Sequence, residues 1–430
     1  MLSKSLILTV LISFPFWEIL TAQINYFFHV PILFLGLTKY LILYALTSIL
    51  LMRFLYKKSP VVNKHSSLII IYTVYILLHI IGDVHPMLVL DGLKYEFIYP
   101  FIGMLILINK KNPLPNFDTL SNIIIIQGAI LVIFALFELN NQAILEIAYR
   151  RPLESIPHIH WFSINRLISF AINPINLGAL VIIFLSFLYF KLLQKRSTFI
   201  KVIFISFLIL SLIVISGTLS RSSLLTYLIV VFLMVHFYFN NPLYRIILYS
   251  VLCAAAIGII TYLSYTYDLS LYFKRFVDLF TIAEYSDNAR VFNWINAFSQ
   301  MNYLDMLWGK GIGISTPSGE LGLLYGGIMI ENSFISHFLE FGFIGFILYL
   351  AVFARYFYLI KILKKFNENI SVTLFIFLII FILFSMGNDY NRNLPFNIYF
   401  WFLYAYLEKL IYMYKRSTGN EIIINNSNIR

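Results

Sequence analysis

Apolar stretches of the length that crosses a bilayer, about 20 residues, follow one another along most of this chain with short polar breaks between them. Twelve can be read, at 5–22, 30–52, 66–83, 88–108, 121–139, 167–190, 199–217, 222–239, 244–263, 331–353, 370–388 and 394–413. The pattern predicts an all-α, polytopic membrane helical bundle. Nine helices would fill residues 1–263 and three would fill 331–413, with a long extracytoplasmic loop carrying short helices at 264–330 and a cytoplasmic tail at 414–430. The first stretch has Lys4 ahead of an apolar core, as a signal peptide would. However, Leu20-Thr21-Ala22 is a poor small-x-small cleavage site and Glu18 is foreign to an apolar signal core, so an uncleaved anchor is expected.

Composition narrows the class. Of 430 residues, 60% are hydrophobic and only 12% charged, whereas soluble domains carry about 25% charged residues. Too little polar surface remains for a soluble enzyme, a disordered chain or a secreted disulfide scaffold. The single cysteine, Cys253, sits in an apolar run and has no partner for an intrachain disulfide. The 42 Phe, 30 Tyr and 5 Trp suit aromatic belts at two interfaces, and exposed Tyr and Trp can also stack on sugars. A net charge of +11 would suggest nucleic acid if it lay on one soluble face. Here the bases are spread over short loops, so they report topology and no nucleic-acid partner is expected.

With the N-terminus inside, inner segments hold 20 Lys and Arg and outer segments nine. The positive-inside rule then puts both termini in the cytoplasm. The outer set is mostly arginine: Arg150, Arg151, Arg166, Arg221, Arg275, Arg290 and Arg392, with Lys274 and Lys310. Lysine suffices to hold a loop inside, whereas the planar guanidinium grips phosphate through paired hydrogen bonds.

Several outer motifs could carry chemistry. In Ser216-Gly217-Thr218-Leu219-Ser220-Arg221-Ser222-Ser223, a serine N-cap, the positive end of a helix and a guanidinium would form an anion site; the alternative is an arginine reaching lipid phosphate. Arg166 stands before Asn173-Pro174, which lies roughly 10 Å deeper by helical rise and should kink the sixth span, with or without a ligand. Asp287-Asn288-Ala289-Arg290 precedes Trp294, and Arg290 can pair with Asp287. The run Trp308-Gly309-Lys310-Gly311-Ile312-Gly313 lacks the spacing of an ATP loop and reads as a tight turn.

The tenth span opens with Glu331-Asn332-Ser333-Phe334 and continues through His337, Glu340, Gly342 and Gly345. Glu331 is a candidate base or a charge favoured by the helix dipole. Glu340 calls for a polar cavity or an interhelical bond, and the two glycines for close helix packing. Asp91, Lys94 and Glu96 are expensive in lipid, and Asp91 with Lys94 forms a natural structural pair. Eight histidines show no metal-binding spacing.

In this order, Arg166 with Asn173-Pro174, Ser220-Arg221, a long loop with Asn288-x-Arg290 and a Trp-Gly-x-Gly-x-Gly run, then Glu331-Asn332-Ser333-Phe334 and Glu340-x-Gly342-x-x-Gly345, the motifs resemble the O-antigen polymerase/ligase family of membrane glycosyltransferases, best over residues 160–350. The resemblance implies a GT-C-like helical fold acting on undecaprenyl-diphosphate-linked glycans at the outer face of the bacterial inner membrane, with no nucleotide sugar, cofactor or required metal. By position, Arg221 and Arg290 would grip the diphosphate and Arg166 would be a third basic contact. Asn173, Ser220, Trp294, Asn332 and His337 would contact substrate. Glu331 stands as the base, with His337 next and a water relay as the alternative. Ligases of the family usually place a histidine beside the Asn; Glu331 there tilts the reading to a polymerase. Partners would be glycan donor and acceptor and the bilayer, with room for a chain-length regulator protein. A flippase for the same lipid would predict an internal repeat and midplane polar residues. No repeat is visible.

Overall fold

The computed structural model describes residues 2–56, 67–82, 84–109, 115–156, 159–161, 164–171, 173–195, 197–239, 241–246, 249–250, 254, 258, 289–315, 324–390, 392–393 and 395–417, with the backbone alone at 2–4, 32–37, 53, 160–161, 164–165, 289–291 and 415–417. In chain order the helices are α1 (Leu2–Ser13), α2 (Trp17–Phe28), α3 (Ile32–Tyr56), α4 (Ser67–Leu78), α5 (Pro86–Gly92), α6 (Ile98–Ile108), α7 (Phe117–Asn140), α8 (Ile144–Tyr149), α9 (Pro174–Gln194), α10 (Thr198–Gly217), α11 (Arg221–Tyr238), α12 (Ala289–Ser299), α13 (Tyr303–Trp308), α14 (Ser333–Lys364), α15 (Glu368–Gly387) and α16 (Phe396–Ser417). Among the described residues the only ladder is antiparallel and two residues long, His160–Trp161 with Ile164–Asn165. The protein is all-α and polytopic.

Among the described residues eight segments are long and apolar enough to cross a membrane: Ser5–Phe28, Thr38–Tyr56, and all of α7, α9, α10, α11, α14 and α15. α4 is apolar but only 12 residues long. The 88–108 stretch is divided by a wider π-helical turn, Leu93–Phe97, between α5 and α6. Most of 244–263, and of the loop up to residue 288, lies outside the described residues.

Two boundaries differ from the sequence reading, each for a local reason. The expected span at 167–190 begins as a helix only at Pro174. Asn173 is its N-cap, accepting from the Ile175 N–H at 2.8 Å, and a proline in the first turn has no N–H to leave unpaired. Asn173-Pro174 therefore starts a helix instead of kinking one. The stretch at 331–353 becomes a 32-residue helix reaching Lys364 and broken at Gly342, whose φ of 61° and ψ of −166° leave the helical region.

α9 is the central post, packed by α7, α10, α11 and α15 and buried along nearly its whole length. Its sequence is accordingly apolar all round, and at Gly178 the missing Cβ leaves room for the Ser223 side chain of α11. α6 packs on α16, and α14 on α4 and α15. α12 docks on α14 through a separate small cluster, in which Trp294 packs on Ala297, Met301, Ile330 and Leu339.

Candidate functional site

The Ser216–Ser223 motif forms the turn between α10 and α11. α10 ends at Gly217, Leu219 takes a left-handed φ of 53°, and Ser220 caps α11 by accepting from the Ser223 N–H at 3.3 Å. Arg221 is the first residue of α11. The same turn receives Arg166, whose Nε donates to the Thr218 carbonyl at 2.9 Å while the neighbouring Leu167 N–H donates to the Gly217 carbonyl at 3.0 Å. Two arginines that the sequence offers as separate candidates thus share one turn.

A residue the sequence reading passed over holds this arrangement. Glu138 of α7 is fully buried, and its two carboxylate oxygens accept from the Ile168 N–H at 2.9 Å and the Ser169 N–H at 2.7 Å. Ser169 has a left-handed φ of 47°, and its carbonyl accepts from the Tyr149 hydroxyl at 2.7 Å. Arg166 therefore projects from an anchored segment, not a loose loop.

The start of α14 joins the same end of the bundle. Asn332 caps α14 by accepting from the Phe334 and Ile335 N–H groups, and its amide donates to the Met386 carbonyl at 2.8 Å. Ser333 donates to Asp389 at 3.2 Å. Gly387 lies against Ser222 of the arginine turn, and the Tyr390 hydroxyl reaches the Ile175 carbonyl of α9 at 3.3 Å. Glu331, half-buried, precedes the cap on this rim.

Beneath the rim lies a buried polar cluster. Arg392 donates through Nε to Glu96 at 3.2 Å and through Nη2 to Glu340, and its Nε lies 3.4 Å from Asp389. Burial alone would lower the Arg392 pKa, but Glu340, Asp389 and Glu96 beside it push it up, so the guanidinium stays charged. His337 is packed inside this region: Nδ1 is 3.8 Å from Glu96 and Nε2 is 3.3 Å from the Tyr72 hydroxyl, with Tyr349 stacked against the ring. Among the described residues no group of His, Cys, Asp and Glu is arranged to hold a metal ion.

The glycine run clasps Glu340. Gly309, Gly311 and Gly313 all have positive φ, at 91°, 109° and 88°, where only glycine is relaxed. They fold Lys310–Ser315 into the break at Gly342, so that the Lys310 and Gly311 N–H groups donate to the Leu339 and Glu340 carbonyls at 2.9 and 3.0 Å. The Gly313 and Ser315 N–H groups then donate to the Glu340 carboxylate at 2.9 and 3.1 Å. The tight turn expected here is present. Gly342 opens the helix to receive that turn, while Gly345 packs against Tyr75 of α4 as a small residue at a helix contact.

Of the residues singled out from sequence, Arg166, Ser220 and Arg221 meet at one turn, and Asn332 and Glu331 stand on the adjoining rim. Asn173 serves as a helix cap, Trp294 as an apolar anchor, and His337 is interior rather than on the rim. Arg290 occupies the first turn of α12; its side chain, like Asp287 and Asn288, lies outside the described residues. Asp91 and Lys94 form the structural pair, at 3.0 Å. Arg392, Asp389 and Glu138 were missed as site residues. Glu96 and Glu340, flagged as costly in lipid, belong with them.

A polytopic helical protein with an arginine-bearing turn and an occupied polar interior is the class these features define. Comparison with protein families finds residues 205–350, from α10 to the middle of α14, similar to the family described as O-antigen ligase. That similarity covers about a third of the chain and agrees with the resemblance to the O-antigen polymerase/ligase family carried by the motifs. Comparison with curated proteins finds no match.

Proposed function

We propose that this protein is a polysaccharide polymerase that joins undecaprenyl-diphosphate-linked repeat units at the outer face of the bacterial inner membrane. The observation that carries the reading is the shared turn: Arg166 is bonded to Thr218, three residues before Arg221 at the start of α11. A polyprenyl diphosphate keeps its tail in the bilayer and its charge at the interface, where this turn stands. As the bond between the anomeric carbon and the diphosphate breaks, the leaving oxygen takes the electron pair. Guanidinium groups fixed beside a low-dielectric wall stabilise that charge more than water does. The acceptor hydroxyl attacks the anomeric carbon and gives its proton to Glu331. Arg290, in the first turn of the loop helix, would complete the grip on the diphosphate.

The matched family is described as O-antigen ligase, which favours a second reading, transfer of the finished glycan to a lipid or protein acceptor. Surface glycan from a clean deletion strain separates the two. Loss of a polymerase leaves single repeat units on the acceptor, loss of a ligase leaves polymer unattached, and loss of a flippase leaves units inside. Complementation with Arg166→Ala or Arg221→Ala should restore less than a tenth of the wild-type product, equivalent to about 1.4 kcal/mol or more of transition-state stabilisation. Wild-type glycan from a well-expressed Arg166→Ala, Arg221→Ala double variant would overturn the assignment.

A further inference from the structure

Beside the arginine turn, but built from other residues, is a cleft of about 200 Å³, room for a small ring rather than for the drug-sized ligands whose sites run to roughly 300–1,000 Å³. It lies where the α1–α2 bend, α3, the π-helical turn and the start of α9 meet the loop carrying Arg392. Three polar atoms of residues lining it are buried without a hydrogen-bond partner among the described residues: Arg392 Nη1, Asn176 Oδ1 and Trp17 Nε1. Arg392 is only 3% exposed, so bulk water does not readily satisfy Nη1. A buried unpaired polar group is costly, and three on residues that line one hollow are accounted for most directly by a ligand that meets them.

The chemistry of the lining selects the ligand. Two of the three orphaned atoms donate and one accepts. Lys39 and Glu18, 3.7 Å apart, add a further donor and acceptor and cancel in charge. The hydroxyls of Tyr40 and Tyr95, 3.5 Å apart, can do either. Arg392 already faces three carboxyl groups, so the hollow offers no surplus positive charge for a phosphate. Mixed donors and acceptors between aromatic rings suit a neutral polyol instead. The geometry points to a saccharide subsite: the cleft holds an uncharged sugar ring of the glycan, while the Arg166–Arg221 turn takes the diphosphate. This deepens the functional reading above and rests on it for the identity of the glycan.

The test uses the full-length protein in lipid nanodiscs and saturation-transfer NMR with free galactose, glucose, rhamnose, N-acetylglucosamine and N-acetylgalactosamine, each with and without inorganic pyrophosphate. At least one sugar should give transfer that pyrophosphate does not displace, and that falls at least fivefold in Trp17→Phe and in Asn176→Leu. Trp17→Phe keeps the aromatic ring and removes only the N–H, so it remains informative if the asparagine variant does not fold. No transfer from any of the five sugars, transfer unchanged in Trp17→Phe, or displacement by pyrophosphate overturns the subsite. Free sugars require neither lipid nor turnover. Failure here is therefore distinct from failure of the polymerase reading, which is judged by surface glycan.

Discussion

Where α7 begins and α9 ends, Lys191 meets Asp118 at 2.8 Å. Far along α14, Arg355 meets Glu408 of α16 at 2.7 and 3.1 Å. Each is one cation facing one acid. Near the start of α14, by contrast, a single guanidinium faces Glu96, Glu340 and Asp389, all within 5% of full burial. The first arrangement is what packing helices in a bilayer requires: each charge is cancelled locally. The second exceeds that requirement, because buried acids beyond those an arginine can pair add desolvation cost with no matching attraction. A chain that keeps them there, clasped by glycine-run amides, is holding Arg392 in one orientation beside the cleft at the expense of stability.

The largest effect should come from breaking this cluster. Arg392→Met leaves three carboxyl groups buried without their cation and should cost about 3–5 kcal/mol, seen as poor folded yield and a strongly lowered Tm in detergent. Adding Glu96→Gln and Glu340→Gln to the same variant should recover part of the loss. Arg355→Met at the other end strands one carboxylate and should cost about 1–3 kcal/mol. Equal losses from the two arginine variants would erase the distinction between the ends.

Most of the helical framework is legible in the apolar stretches, because a span must hide its backbone within itself and cover itself with apolar side chains. The arginine turn is legible too, since Ser220 and Arg221 sit at a cap the local sequence specifies. The cluster was harder to read. Glu96, Glu340 and Arg392 are separated by 296 and 52 residues along the pairs they form, and no local pattern announces which acid meets which base. Glu340 and Glu96 were visible as costs in lipid, but Arg392 was counted only as a topology charge. Asn173-Pro174 misled for a different reason. The same dipeptide kinks a helix in its middle and starts one at its end, and here the extended backbone at the Asn173 cap makes it a start.

A middle-sized effect should follow at the clasp. Gly309→Ala places a methyl group against the Glu340 carbonyl at a φ of 91°, with an expected cost of about 1–3 kcal/mol. Because the clasp orients the Glu340 carboxylate rather than merely packing α14, activity should fall more than the lowered Tm alone explains. Comparing glycan product per folded protein with the melting shift separates the two contributions. Unchanged product per folded molecule would reduce the clasp to a packing device.

The smallest effect is expected from Lys364, whose Nζ lies 3.4 Å from Glu368, with side chains 58% and 65% exposed. The lysine ends α14 and the glutamate opens α15, so each also meets the favourable end of its own helix dipole. Solvent and salt screen such a pair, and exposed pairs are worth about 0.2–1 kcal/mol. Lys364→Ala should therefore move Tm only slightly, and the difference from wild type should shrink as salt is raised. Arg392→Met should keep its deficit at every salt concentration, since mobile ions do not reach a buried site. A salt-insensitive loss in Lys364→Ala as large as that of Arg355→Met would mean that the pairs at this end also carry an internal load, and the contrast between the two ends would then rest on the number of acids alone.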